Sequence, residues 1–416
     1  MSFSSLDLPD YILRALDTVG YIEPTPIQVK SIPLIQAGND LIAEAHTGTG
    51  KTAAFALPIL EKVNNAPLKK KKLSIHTLVL TPTRELALQV ASSFIRYGQY
   101  SPRKIRVASI IGGTDIDDQV NAIERGVDIV VATPGRLLDL YNHNEVCLSE
   151  VEVFVIDEGD KMLNLGFTEE LDAILAALPE KRQNLLFSAT FPEKVIELTK
   201  KVLTDPLRIK FNDDVPTLVS INQRVIQVDR DNRGLLLRHL IQTENWKQVL
   251  VFVASKRAAD NLAGKLRKTE LKAVAFHGDL EQDERIEVLR RFKAGKVRVL
   301  IATDIAARGI DIIGLTHVIN FDLPRSPIDY IHRIGRTGRA GQLGTAISFI
   351  CYENFWHFVL IEKRAQIKLK REQIEGFELT GKRPRRVKGK APVKGKHKNK
   401  KDKSREAGLT TLVTLL

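Results

Sequence analysis

The sequence predicts an α/β protein of two tandem domains with parallel sheets, followed by a basic tail. Three observations predict it. At 416 residues the chain exceeds one typical domain and suits two of about 150 to 200 residues each. Short apolar runs rich in Val, Ile and Leu alternate with amphipathic stretches, as buried parallel strands alternate with helices. The runs fall into two series, separated by the polar stretch Asn212-Asp213-Asp214-Val215-Pro216-Thr217.

Residues 3–36 read as a helical lead-in. Leu6, Leu8, Ile12, Leu13, Leu16 and Val19 recur near helical spacing, Asp10 after Pro9 is a candidate cap, and Gly20 ends the first helix. Tyr21-Ile22-Glu23-Pro24-Thr25-Pro26-Ile27-Gln28 then opens a second helix that runs towards Gly38. The apolar run Asp40-Leu41-Ile42-Ala43 leads into a glycine-rich turn, 45–52, and the helix-compatible Ala53-Ala54-Phe55-Ala56-Leu57. Pro67-Leu68-Lys69-Lys70-Lys71-Lys72 is a charged loop, either a solvated turn or a contact with RNA. Strands are expected at 77–80, 107–111, 129–132, 153–156 and 185–187, and beyond the linker at 249–253, 273–276, 297–302, 318–321 and 346–350.

A helix is expected over 353–375. Beyond Gly376 the composition collapses to Lys, Arg, Gly and Pro, which cannot bury a core. The apolar stretch 409–416 reads as a frayed end or a short docking segment. The expected domains are therefore 1–211, with its lead-in at about 1–38, a linker at 212–219, a second domain at 220–362, and a helical extension with a disordered tail at 363–416.

Composition narrows the function. Residues are 43% apolar, yet no run approaches a membrane span of about 20 residues. The N-terminus lacks the basic region and apolar block of a signal peptide, and Cys147 and Cys351 lie far apart, so reduced thiols and a cytoplasmic location are expected. Residues 363–416 carry 18 Lys and Arg against 5 Asp and Glu, which is the whole of the net charge of +13. A neutral body with a cationic tail points to a polyanion partner, most often nucleic acid.

Ala45-His46-Thr47-Gly48-Thr49-Gly50-Lys51-Thr52 has the layout of a P-loop, with Ala45 where the usual pattern has Gly. Backbone N–H groups of such a turn form an anion nest with the positive end of the next helix. Lys51 would reach the β- and γ-phosphates, and the Thr52 hydroxyl would hold Mg²⁺. Phe154-Val155-Ile156-Asp157-Glu158-Gly159-Asp160 places acids after an apolar run, either as turn residues or as the acidic half of a nucleotide site. In the second reading Asp157 holds Mg²⁺ and Glu158 polarises the attacking water.

The order of motifs resembles a DEAD-box RNA helicase of superfamily 2, most like the bacterial RhlE type, over roughly residues 1–362. The matching stretches are Phe3, Gly20-Tyr21 with Pro24 to Gln28, Ala45 to Thr52, Pro82-Thr83-Arg84-Glu85-Leu86, Gly112-Gly113, Thr133-Pro134-Gly135-Arg136, Asp157 to Asp160 and Ser188-Ala189-Thr190. In the second half they are His277-Gly278, Gln282 with Arg285, Thr303 to Asp311, and His332-Arg333-Ile334-Gly335-Arg336-Thr337-Gly338-Arg339. Gly159 departs from the family's Ala, which puts the turn carrying Glu158 in question.

The resemblance implies two RecA-like domains and an RNA-stimulated ATPase that uses ATP with Mg²⁺ to separate short duplexes. By analogy Gln28 selects adenine, with Tyr21 or Phe3 supporting the base unless these are core aromatics. Arg336 and Arg339 become fingers on the γ-phosphate, Asp311 accepts from the ribose, and Asp160, Ser188, Thr190 and His332 couple the nucleotide to RNA. The implied RNA-facing set is Pro82, Thr83, Arg84, Gly113, Thr133, Pro134 and Arg136, with Thr303, Arg308 and the His277-Gly278 turn. For Arg84 and Arg136 an internal salt bridge is the plain alternative. Ribosomal precursors and RNA-decay assemblies are the implied settings. Two rivals share the motifs: an ATP-gated RNA clamp in which unwinding is incidental, and a DNA-directed motor.

Overall fold

In the computed structural model, residues 2–45, 48–66, 75–210, 221–307, 315–338 and 343–381 are described. The lysine loop at 67–72, the linker at 212–217 and the tail beyond 381 lie outside the described residues. Residues 1–380 form one compact unit. It is built on two sheets.

The first sheet contains β1 (Leu41–Glu44), β2 (Thr77–Leu80), β3 (Val107–Ile110), β4 (Ile129–Ala132), β5 (Val153–Asp157), β6 (Gln183–Ser188) and β7 (Leu207–Lys210), in the order β3-β4-β2-β5-β6-β1-β7. The second contains β8 (Ile221–Gln227), β9 (Val249–Phe252), β10 (Ala273–Phe276), β11 (Val299–Ala302), β12 (His317–Asn320), β13 (Gly344–Ile350) and β14 (Arg371–Glu372), in the order β10-β11-β9-β12-β13-β8-β14. Every pairing is parallel. Counted from its own first strand, the second sheet repeats the order of the first. The duplication is one of topology, carried by different side chains.

Central strands are buried on both faces, so β2, β4 and β5 read as continuous apolar runs. Two further strands escape that pattern. β7 (LRIK) lies at an edge and buries only Ile209, and β8 (INQRVIQ) interleaves polar residues with its core positions. Helices cover both faces of the first sheet. Asp10–Val19, Pro26–Gln36, Lys51–Asn65 and Arg84–Tyr97 bury one side, where Phe55 packs between Phe94 and Phe187. Pro134–Asn142, Thr168–Ala177 and Glu193–Val202 bury the other. In the lead-in, Pro9 takes the cap position, Asp10 is the first helical residue, and Gly20 ends the helix at φ +82°.

The C-terminal elements correct the expected boundary. The helix expected over 353–375 spans Phe355–Ala365 and stops where Gln366 turns left-handed at φ 55°. The chain then returns to pair β14 with β8. Arg371 salt-bridges Glu362 at 2.6 Å and lies over the Phe358 ring. Ile374 and Phe377 pack on the second domain's core, and the Thr380 hydroxyl donates to Asp229 at 2.6 Å. The second domain thus continues past 362 to Thr380. Its last residues are charged as well as apolar, which hides the fold signal from composition.

Candidate active site

The carboxyl ends of β1, β5 and β6 lie side by side in the first sheet, where ligands bind in open α/β folds. β1 runs into the glycine-rich turn. There the Ala45 N–H donates to the Ser188 carbonyl at the end of β6 (3.0 Å), and the Ala45 methyl is buried. Gly48 and Gly50 both sit at φ +90°, open to glycine at little cost. At Gly50 a Cβ would also overlap the Gln28 amide. Lys51 starts the helix Lys51–Asn65, so the helix's positive end faces the turn. Thr52 is half-buried in the first turn; His46 and Thr47 lie outside the described residues.

β5 delivers the acids. Asp157 and Glu158 are both 3% exposed, and Glu158 holds a left-handed backbone (φ 57°, ψ 48°) at the start of the short helix Gly159–Asn164. Burial pushes the Asp157 carboxyl up to about 6, with Lys51 opposing and the Glu158 charge adding to the rise. Burial disfavours the Glu158 charge too, but Lys161, Lys51 and Arg336 outweigh it and hold that carboxyl down at about 2. The neighbouring acids are thereby separated in acidity. Among the described residues, Lys51 Nζ, Asp157 Oδ1 and Glu158 Oε2 are all buried without a hydrogen-bond partner. Polar atoms are costly in that state. A nucleotide phosphate against Lys51 and a divalent cation against Asp157 would complete them, so these residues fit ATP with Mg²⁺.

The residues expected to couple nucleotide to RNA come together. Thr190 Oγ1 donates to Asp160 Oδ2 (2.7 Å), Ser188 Oγ donates to the Thr190 carbonyl (2.8 Å), and the Asp160 N–H donates to Ser188 Oγ (3.1 Å). Across from them, His332 and Arg336 of the second domain line a cavity of about 20 Å³ together with Lys161. Burial, with Lys161 and Arg336 nearby, lowers the His332 imidazole to about 3, so it is neutral at physiological pH. Arg339 and Asp311 lie outside the described residues.

Gln28 is buried, and its amide is engaged at both ends. Oε1 accepts from the Thr25 N–H (2.9 Å) and Nε2 donates to the Gly50 carbonyl (3.1 Å). It therefore braces the glycine-rich turn. Phe3 is a core aromatic, 5% exposed and stacked on Tyr21 at 6.5 Å between centroids. It backs Tyr21, whose hydroxyl meets that of Tyr97.

The residues expected to face RNA gather at the ends of β3, β4 and β2, beyond the nucleotide half of the same sheet edge. Pro82 and Thr83 precede the helix Arg84–Tyr97, and Thr83 Oγ1 caps it by accepting from the Leu86 N–H (3.3 Å). Thr133 precedes the helix Pro134–Asn142. Two helix N-termini therefore point off this edge, ready for phosphate. Arg84 is exposed, and Gly113 (φ +78°) leaves it space that a Cβ would fill. Arg136 makes an internal contact with Asp139 at 3.8 Å. On the second sheet Thr303 follows β11 and His277 follows β10, the equivalent positions; Arg308 lies outside the described residues.

Several residues without an assigned role hold this site. Glu85 salt-bridges Arg285 across the two domains (2.7 Å), and Arg285 also donates to the His277 carbonyl (3.0 Å). Arg333 grips Asp304 through two hydrogen bonds (2.6 and 2.7 Å) and lies over the Phe252 ring. Lys161 Nζ meets Glu158 Oε1 at 2.7 Å across the left-handed turn that precedes the short helix.

Residues 25–198 match the DEAD/DEAH box helicase model and residues 232–341 the helicase conserved C-terminal domain model. The chain is 42% identical over 370 residues to the DEAD-box ATP-dependent RNA helicase CshA of Bacillus cereus, covering 89% of this chain and 69% of that protein. It is 41% identical to CshA of Geobacillus kaustophilus, covering 89% and 78%. Neither relative carries the RhlE name. Among solved structures, Saccharomyces cerevisiae Dbp5 bound to RNA and ADP BeF3 superposes with a TM-score of 0.80 at 32% identity, covering 89% of this chain and 95% of that one. Mss116p bound to single-stranded RNA and AMP-PNP gives 0.81 at 28% identity, covering 90% and 80%.

Proposed function

The chain belongs to the DEAD/DEAH box helicase family, and from that premise we propose how its residues divide the work of an RNA-dependent ATPase that unwinds short duplexes. ATP takes the turn after β1, its phosphates on the backbone N–H groups and Lys51, its adenine beside Gln28 and Tyr21. Thr52 and Asp157 would hold Mg²⁺, which would supply neutralisation of the phosphate charge. Glu158 accepts a proton from water as the water oxygen attacks the γ-phosphorus. The bond to the β-phosphate oxygen breaks, leaving ADP and phosphate. Arg336 reaches the γ-phosphate from the second domain, so the transition state is fully stabilised only when the domains meet. Arg339 and Asp311 are assigned to the same nucleotide.

RNA binds along the ends of β3, β4 and β2 and the equivalent ends of β10 and β11. Helix N-termini and small hydroxyls contact phosphates and sugars, which carry no sequence information. ATP and RNA both favour the closed arrangement, so each tightens the other's binding. Closure bends one strand, and the complementary strand leaves.

The observation that carries this reading is the triplet of buried, unpartnered atoms on Lys51, Asp157 and Glu158, with Arg336 close enough to lower the Glu158 carboxyl. Glu158→Gln tests it. We expect turnover to be lost while ATP-dependent RNA binding persists. Undiminished multiple-cycle unwinding by that variant would sink the assignment. Backbone-directed contacts suit a remodeller of structured RNA in the cytoplasm, on ribosomal precursors or transcripts under decay. Crosslinking in cells with sequencing of the bound RNA tests that setting.

A further inference from the structure

Lys161 has no part in the mechanism above, yet its position is unusual. Its ammonium lies 2.7 Å from Glu158 Oε1, and the two side chains are only 5% and 4% exposed. A buried ion pair is a poor source of stability, because desolvation offsets the attraction. What this pair does is fix an orientation. Lys161 occupies Oε1 of Glu158 and leaves Oε2 buried and unpartnered. The left-handed backbone at Glu158 sets where the side chain departs, and Lys161, three residues on, sets where it ends. On its far side Lys161 lines the water-sized cavity of about 20 Å³ with His332 and Arg336. It therefore stands between the acid of one domain and the arginine of the other.

We propose that Lys161 is a positioning residue for hydrolysis: by clamping one oxygen of Glu158 it makes the other the sole proton acceptor for the attacking water. The inference rests on Glu158 as the base. It explains why a second cation is buried beside Arg336, where like charges repel. Lys161 holds one carboxylate oxygen in place on the first domain, while Arg336 lines the same cavity from the second.

The test compares the full chain with Lys161→Met, Lys161→Arg, Glu158→Gln and the Lys161→Met/Glu158→Gln double variant. We expect Lys161→Met to lower RNA-saturated kcat by about tenfold or more, with KM for ATP and for RNA held within about threefold. Lys161→Arg recovers most of the rate, because a guanidinium can still hold the carboxylate. Without nucleotide, Lys161→Met melts below wild type, and the double variant melts above Lys161→Met, since the amide removes the unpaired buried charge. A Lys161→Met kcat within about twofold of wild type overturns the proposal. So does an Arg variant no faster than the Met variant, or a double variant no more stable than Lys161→Met. The two readings separate cleanly. An inactive Glu158→Gln beside a normal Lys161→Met removes only the role of Lys161, whereas an active Glu158→Gln removes the base assignment itself.

Discussion

Glu85 and Arg285 meet at 2.7 Å, both buried, one carried by each of the two sheets' domains. The guanidinium also lies over the Phe276 ring and donates to the His277 carbonyl. Arg84, the neighbour of Glu85, reaches Gln282 at 3.5 Å. A pair spanning two domains contributes only when they are together, since separation returns both charges to water. Removing one partner leaves the other buried and unpaired in the closed state alone. We expect Glu85→Gln to weaken RNA binding in the presence of a non-hydrolysable ATP analogue by about tenfold, close to 1.4 kcal/mol. Nucleotide affinity without RNA stays unchanged. Fluorescence anisotropy with labelled RNA, with and without the analogue, reads the difference.

The raised Asp157 carboxyl makes stability depend on pH in a definite direction. Its folded value, about 6, lies above its ordinary 3.8. The protonated form is therefore favoured by folding, and that contribution is fully present below 3.8 and lost as pH rises through 6. Above pH 6 the unliganded fold carries a buried charge it does not satisfy. We expect Asp157→Asn to raise the melting temperature relative to wild type more at pH 8 than at pH 5. Equal differences at the two values would show that the carboxyl does not titrate in this window. Magnesium is left out of both buffers.

How far the sequence led depends on what each element buries. Central strands such as β4, Ile129–Ala132, are apolar on both faces and were visible directly. β7 and β8 were not, because an edge strand and a strand with polar interleaving lack that signature. The residues at 45–52 and 157–158 stand out because glycine, lysine and acids recur there at fixed spacing, and the sheet brings them to one edge. Lys161, Arg333 and the Glu85–Arg285 pair were harder, because their partners lie across a turn, a sheet or a domain. Nothing local marks Arg333 as the grip on Asp304, 29 residues away in sequence. The resemblance assigns Gln28 to the base, yet its brace on the Gly50 carbonyl is visible only in the fold.

Gly159 stands where the resemblance places alanine, and the fold leaves room for a Cβ there. It is the first helical residue after Glu158, and its φ is not positive. A Cβ there would stand 3.4 Å from Ile156 Cγ2 and 3.9 Å from Leu186, which is ordinary contact. The left-handed residue is Glu158 itself. Gly159→Ala should therefore stabilise the protein by about 0.4 to 1 kcal/mol by narrowing the unfolded ensemble. Denaturant titration measures the shift in midpoint. RNA-stimulated kcat should stay within about twofold, because the turn carrying Glu158 keeps its shape.

The tail can be tested only if the cut respects the fold. Phe377 packs against His239 in a tilted arrangement at 5.3 Å between centroids, Ile374 packs on the same core, and Thr380 bonds to Asp229. Removing residues from 376 onward would strip the Phe377 and Thr380 contacts as well as the basic segment. A cut after Gly381 leaves them whole and still removes most of the excess positive charge. Each phosphate neutralised by a tail cation releases counterions, so the tail's share of binding is the share that salt erodes. We expect the shorter protein to bind RNA more weakly at low salt and to show a shallower dependence of log affinity on log salt. Its melting temperature and its kcat at saturating RNA should match the full chain. Cutting at 370 instead removes β14 and the Arg371–Glu362 bridge. That protein should melt lower and lose the ATPase, a failure of folding distinct from the loss of electrostatic reach. Equal affinities and slopes for the full chain and the protein cut after Gly381 would show that the tail does not touch RNA.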